Sequence, residues 1–166
     1  AAMDLMVQKH SLKAFGFENV INVPEQDVAD GNFPTVKSPN PEEPEALSMA
    51  IEKARKTGAN LVMATDPDAD RVGIAVKTSS GEFVLLNGNQ TASLLIYYLI
   101  KRWKELGKVS GNEYIVKTVV TSEILKKIAV DNGVESYDTL TGFKYIAALI
   151  RELEGKKTFI GGGEES

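Results

Sequence analysis

The sequence predicts an α/β fold arranged as two similar blocks. Three observations lead there. Strand-forming and helix-forming segments alternate along the chain, as expected for helices layered on sheets. The alternation restarts near Gly88, so a second block repeats the first in coarse outline, with no short-period repeat. Hydrophobic residues fill 43% of the 166 positions, enough to build a core.

Each element follows from its own pattern. "MDLMVQKHSLKAF" spaces Leu5, Met6, Leu12 and Phe15 at roughly helical intervals, with Gly16 as the stop. "NVINV" reads as a short buried strand. The segment from Pro24 to Pro44 is irregular and rich in Pro, Asn, Asp and Gly, and a loop of that length is usually functional or an interface. "PEEPEALSMAIEKARKTG" is a helix. Glu42, Glu43 and Glu45 suit the positive end of its dipole, Lys and Arg suit the other end, and Gly58 terminates it. "NLVMAT" is a strand, and "RVGIAVKTSSGEFVLLNG" is two strands joined by a turn at Ser79–Gly81.

In the second block, "QTASLLIYYLIKRWKELG" is a helix with a wide apolar face, to which Tyr97, Tyr98 and Trp103 are assigned as packing residues. "EYIVKTVV" is a β-branched strand, "SEILKKIAVDNG" a helix closed by Gly133, and "VESYDTL" a strand. "TGF" is a turn, "KYIAALIRELEG" a helix, and "KTFIGG" the last strand. His10 is expected at the surface. The ending, "GGGEES", is either a flexible tail or a binding loop.

Composition excludes several function classes. A net charge of −4 leaves no footprint for nucleic acid. The absence of cysteine excludes disulfides and thiolate chemistry. No apolar run is long enough to span a bilayer, and no signal-peptide layout is present. A cytoplasmic setting is the default expectation.

The stretch "ATDPDADRVGIAV" carries the chemistry. Asp66, Asp68 and Asp70 occupy alternate positions, which in an extended segment point the same way. Three converging carboxylates repel one another unless a cation or protons intervene. A hard divalent ion such as Mg²⁺ is the simplest partner. Arg71 pairs with a phosphate or with an aspartate. A solvated acidic turn is the competing reading. An EF-hand loop does not fit, because the glycine and the distal glutamate are missing.

These residues also carry a resemblance. "TDPDADR" resembles the metal-binding loop of the α-D-phosphohexomutases, the family of phosphoglucomutases and phosphomannomutases. "GGGEES" resembles that family's sugar-recognition loop, and "FPTVKSPNPEEPEAL" and "TLTGFKYI" match stretches common in it. The four stretches stand in the family's order, over roughly positions 20 to 166.

The resemblance implies two α/β domains of the phosphohexomutase type with mixed sheets. Residues 1–88 would be domain II, lacking its first strand, and residues 89–166 domain III, truncated in its sugar loop. Domains I and IV of a parent chain would be partners, along with a hexose phosphate and a hexose bisphosphate. The implied activity interconverts glucose 1-phosphate and glucose 6-phosphate through a phosphoserine and glucose 1,6-bisphosphate. The phosphoserine motif is absent here, so the chain alone is expected to be inactive. Phosphomannomutase or phosphopentomutase activity is the alternative within the family. A non-catalytic cation- or protein-binding module is the alternative outside it.

By the same resemblance, Asp66, Asp68 and Asp70 are the ligands of Mg²⁺, and Arg71 contacts phosphate or substrate. Glu164 and Ser166 bond adjacent sugar hydroxyls, with Glu165 between them solvated. Thr141 and Gly142 form a substrate-contacting turn. Lys144 assists with substrate phosphate or proton transfer.

Overall fold

Short turns and helical crossovers decide the direction of the strands. The structure, a computed structural model, describes residues 11–165 and divides into two compact units between Asn87 and Gly88.

In the first unit, residues 11–14 are helical and Gly16 ends them at φ 85°. Leu5, Met6 and His10 lie outside the described residues. Phe15, expected on the apolar face of this helix, is 83% exposed. Helix α1 (Pro44–Thr57) has Pro44 in its first turn, Arg55 and Lys56 in its last, and Gly58 at φ 75° as its left-handed cap. Its buried Leu47 and Ala54 pack on Val62 and Ala75.

Those two residues belong to strands β1 (Leu61–Thr65) and β2 (Val72–Lys77), and β3 (Phe83–Leu86) completes an antiparallel sheet of order β1-β2-β3. Antiparallel neighbours need only short connections. β2 and β3 are joined by a turn in which the Gly81 N–H donates to the Thr78 carbonyl at 3.0 Å. Gly73 of β2 lies against the backbone of Pro41, where a β-carbon would come within 1.9 Å of the carbonyl oxygen.

The strand expected at "NVINV" does not form. Residues 19–23 are irregular, and Val20 and Ile21 are exposed. Among the described residues β1 pairs only with β2, so its outer edge is open and this segment does not pair with it. Local bonds compete instead: the Asn22 amide donates to Asp27, and Pro24 opens a 3₁₀ turn over Pro24–Gln26.

The second unit has helical crossovers, and its sheet is parallel. Helix α2 (Gly88–Glu105) leads to strand β4 (Glu113–Thr118). Helix α3 (Ile124–Asp131), strand β5 (Glu135–Thr139), helix α4 (Phe143–Leu153) and strand β6 (Thr158–Gly163) follow. The order is β5-β4-β6, with β4 in the centre and every one of its residues buried. One face of the sheet packs Ile115 and Ile160 against Ile96, Ile100, Leu125 and Ala129 of α2 and α3. The other packs Tyr114 and Val116 against Ile146 of α4. Tyr114 also meets Tyr137 edge-on, at 5.5 Å between ring centroids.

Two sequence expectations need correction here. Tyr97 and Tyr98 are 52% and 58% exposed. The packed stripe of α2 runs through Ile96, Leu99, Ile100 and Trp103, and helical geometry turns positions 97 and 98 away from it. Strand β4 also stops at Thr118, leaving Val119 and Val120 exposed. The chain turns there because the Thr121 N–H donates to the Thr118 carbonyl at 3.0 Å.

Strand β6 runs into the terminal loop through three glycines. A β-carbon on Gly162 would lie 2.1 Å from the Val116 carbonyl oxygen, whereas one on Gly163 would meet nothing within 4 Å.

Candidate functional site

The aspartate loop closes the β1–β2 hairpin. Thr65 pairs with Val72 across the ladder, and the Asp66 N–H donates to the Arg71 carbonyl at 3.3 Å. Inside, the Ala69 N–H donates to the Asp66 carbonyl at 3.1 Å, and Ala69 takes φ 62°. A β-carbon in that left-handed conformation costs about 1–2 kcal/mol. The turn brings one carboxylate oxygen each from Asp66, Asp68 and Asp70 within 4.8 Å of one another. The three residues therefore do converge, through a tight turn rather than through the extended alternation their spacing suggested.

The three carboxylates have different surroundings. Asp66 is 2% exposed, while Asp68 and Asp70 are exposed. Arg71 holds Asp66 twice, its Nε donating to Oδ2 at 2.7 Å and its backbone N–H to Oδ1 at 3.1 Å. Asp70 Oδ1 lies 3.7 Å from the same Nε. Burial alone would raise the Asp66 carboxyl, but the bonds from Arg71 and Asp70 outweigh it and hold it below the usual range. The Asp70 carboxyl is raised, first by its hydrogen bond to Asp66, then by desolvation and by the charges of Asp66 and Asp68. Three carboxylate oxygens within 4.8 Å of one another are a fitting donor set for a hard divalent cation.

The expected sugar contacts lie in the second unit. Gly142 precedes α4 at φ 119°, and its N–H donates to Glu164 Oε2 at 2.7 Å. Glu164 and Gly142 are thus neighbours. The Glu165 N–H donates to Thr121 Oγ1 at 3.0 Å, so its backbone is anchored. Thr141 is exposed beside Gly142. Lys144 is exposed in the first turn of α4, its Nζ 4.9 Å from the centre of the Tyr145 ring. Ser166 lies outside the described residues.

Sequence reasoning missed a buried lysine. Lys117, at 0% exposure in β4, lies 2.7 Å from Glu123 Oε1 and 3.0 Å from Asp138 Oδ1. It also donates to the carbonyls of Thr121 and Thr118, at 3.2 and 3.4 Å. Burial would lower its pKa, yet the bonds to Glu123 and Asp138 raise it, so the side chain is held as a cation. A charge in the middle of the apolar run "YIVKTVV" was the available signal.

Comparison with known proteins decides the family. The family model "Phosphoglucomutase/phosphomannomutase, alpha/beta/alpha domain II" matches residues 2–81, and that of domain III matches residues 87–166. The chain belongs to the phosphoglucomutase/phosphomannomutase family. Among its relatives, a phosphoglucomutase of Staphylococcus aureus (strain MRSA252) is 40% identical over 155 residues, covering 93% of this chain and 27% of that protein. A probable phosphoribomutase of Schizosaccharomyces pombe is 40% identical over 152 residues, covering 91% of this chain and 26% of that protein. A solved structure of a putative phosphomannomutase from Thermus thermophilus superposes with a TM-score of 0.68 at 24% identity, over 95% of this chain and 32% of that one, which supports the fold. This family member thus spans about a quarter of the length of the curated relatives it matches. Among its described residues, no helix is long and apolar enough to cross a membrane.

Proposed function

We propose that this chain supplies domains II (residues 1–88) and III (residues 89–166) of a phosphohexose mutase. The proposed enzyme interconverts glucose 1-phosphate and glucose 6-phosphate through a hexose bisphosphate and a phosphoserine carried on another domain of the parent chain. The observation that carries this reading is the cluster of Asp66, Asp68 and Asp70 on one hairpin loop. In it, Asp66, Asp68 and Asp70 hold Mg²⁺, which supplies positive charge where the moving phosphoryl group develops negative charge.

The remaining residues bind and orient. Arg71 neutralises Asp66 and presents its outer guanidinium edge to a phosphate. Glu164 accepts from a sugar hydroxyl while Gly142 holds its other side, and Ser166 bonds the neighbouring hydroxyl. Thr141 flanks the same turn, and Lys144 offers an ammonium to the substrate phosphate. The relative described as a probable phosphoribomutase favours a second reading, in which the substrate is a pentose phosphate. Assays of the full-length parent on glucose 1-phosphate, mannose 1-phosphate and ribose 1-phosphate separate these readings. Turnover of none of them, by a parent lacking a phosphorylatable serine, points to a non-catalytic cation-binding module.

Glu164 gives a direct test of the sugar contact. A hydrogen bond to a charged group contributes about 1.5–3 kcal/mol. In the full-length protein, Glu164→Ala is expected to weaken glucose 1-phosphate binding by roughly one to two orders of magnitude. Mg²⁺ affinity measured without sugar should stay constant. Unchanged sugar-phosphate affinity in a titration would remove the recognition role from this loop.

A further inference from the structure

Every polar atom of Thr121 is engaged. Its N–H donates to the Thr118 carbonyl at 3.0 Å, and its carbonyl accepts from Lys117 Nζ at 3.2 Å. Its Oγ1 lies 2.9 Å from Thr118 Oγ1 and accepts from the Glu165 N–H at 3.0 Å. Thr121 is 2% exposed, and Thr118 and Lys117 are fully buried. The threonine is therefore a fixed post in the turn after β4, and the loop after β6 is attached to it. One residue earlier, Glu164 is tied to the Gly142 N–H through its side chain. The two attachments lie on adjacent residues, one on the backbone and one on the carboxylate. The backbone attachment leaves the carboxylate less freedom to swing.

We propose that Thr121, locked by Lys117 and Thr118, is a positioning residue that sets where the Glu164 carboxylate is presented, an assignment that rests on reading that loop as the sugar contact. At 2% exposure, Thr121 is placed to act through the loop and not by direct contact with a substrate. Its effect passes through one hydrogen bond to the Glu165 amide, and the aim of the carboxylate depends on that bond.

Thr121→Val removes the acceptor while keeping the shape, and Thr121→Ser restores it. Both are made in the full-length protein, with glucose 1-phosphate as the probe. For Thr121→Val, KM is expected to rise roughly tenfold, the equivalent of one hydrogen bond, with kcat changing much less. Hydrogen exchange at the Glu165 amide should accelerate selectively, while the amides of β4 keep their protection. Thr121→Ser should return both readouts toward the parent values. An unchanged KM alongside a damaging Glu164→Ala would overturn the positioning role and leave the sugar contact standing. Uniform loss of protection throughout the second unit would also overturn it, because the role would then be purely structural. If Glu164→Ala is itself silent, the sugar contact falls and the proposal falls with it.

Discussion

In the full-length protein, Asp68→Asn is expected to lower kcat by roughly a hundredfold or more and to change KM little, because charge supplied to the moving phosphoryl group acts mainly on the transition state. Asp68 is the informative position. Asp66 is buried and bonded twice to Arg71, so its loss would mix catalysis with collapse of the hairpin loop. Asp68 is exposed, and the amide is nearly the same size as the carboxylate it replaces. Circular dichroism and thermal unfolding should therefore match the parent protein. Isothermal titration should show weaker Mg²⁺ binding. A variant with unimpaired kcat would take the metal role away from this loop.

Lys117→Met should destabilise the second unit by about 3 kcal/mol, as expected when one member of a buried ion pair is removed. The expected loss is at the low end of the usual range because the Asp138 and Glu123 side chains are 33% and 73% exposed and regain water. Burial tends to raise the Asp138 carboxyl, but its bonds to Lys117 and Lys126 outweigh this and lower it. A lowered carboxylate stabilises the fold above its unfolded value of about 3.9, and that contribution is lost as pH falls through the folded value. The raised Lys117 contributes fully below its unfolded value of about 10.4 and loses that contribution as pH rises through the folded value. The gap between parent and variant should therefore be widest from about pH 4 to pH 10 and narrow on either side. Urea unfolding across that range measures it. A gap below about 1 kcal/mol at neutral pH would mean that the methionine packs as well as the ion pair it replaces.

Much of this was legible in the sequence. The alternation of strand and helix foretold both layers, and D-x-D-x-D picked out the three carboxylates that cluster. The route to the cluster was not legible, because it depends on Ala69 adopting φ 62°, a conformation its side chain does not favour. "NVINV" has the composition of a strand, but composition does not show that local bonds at Asn22 and Pro24 compete with pairing, and the segment joins neither open edge of the described sheet. Tyr97 and Tyr98 sit within an apolar run whose packed stripe only the neighbouring elements define. Lys117 was hidden for a similar reason. A lysine is buried only where counter-charges wait, and Asp138 comes from a different strand, adjacent to it only once the sheet has formed.

The approach of Gly162 to the Val116 carbonyl has an evolutionary consequence. Of the three glycines leading into the terminal loop, this one faces backbone, which cannot move aside as a side chain can. Gly161 faces the flexible end of Leu99, and Gly163 faces open space. A library randomised at all three codons and selected for folded protein should return glycine at position 162 in nearly every survivor. Position 161 should accept alanine when Leu99 also changes, and position 163 should drift freely. Three identical letters in the sequence thus stand under three different selective pressures.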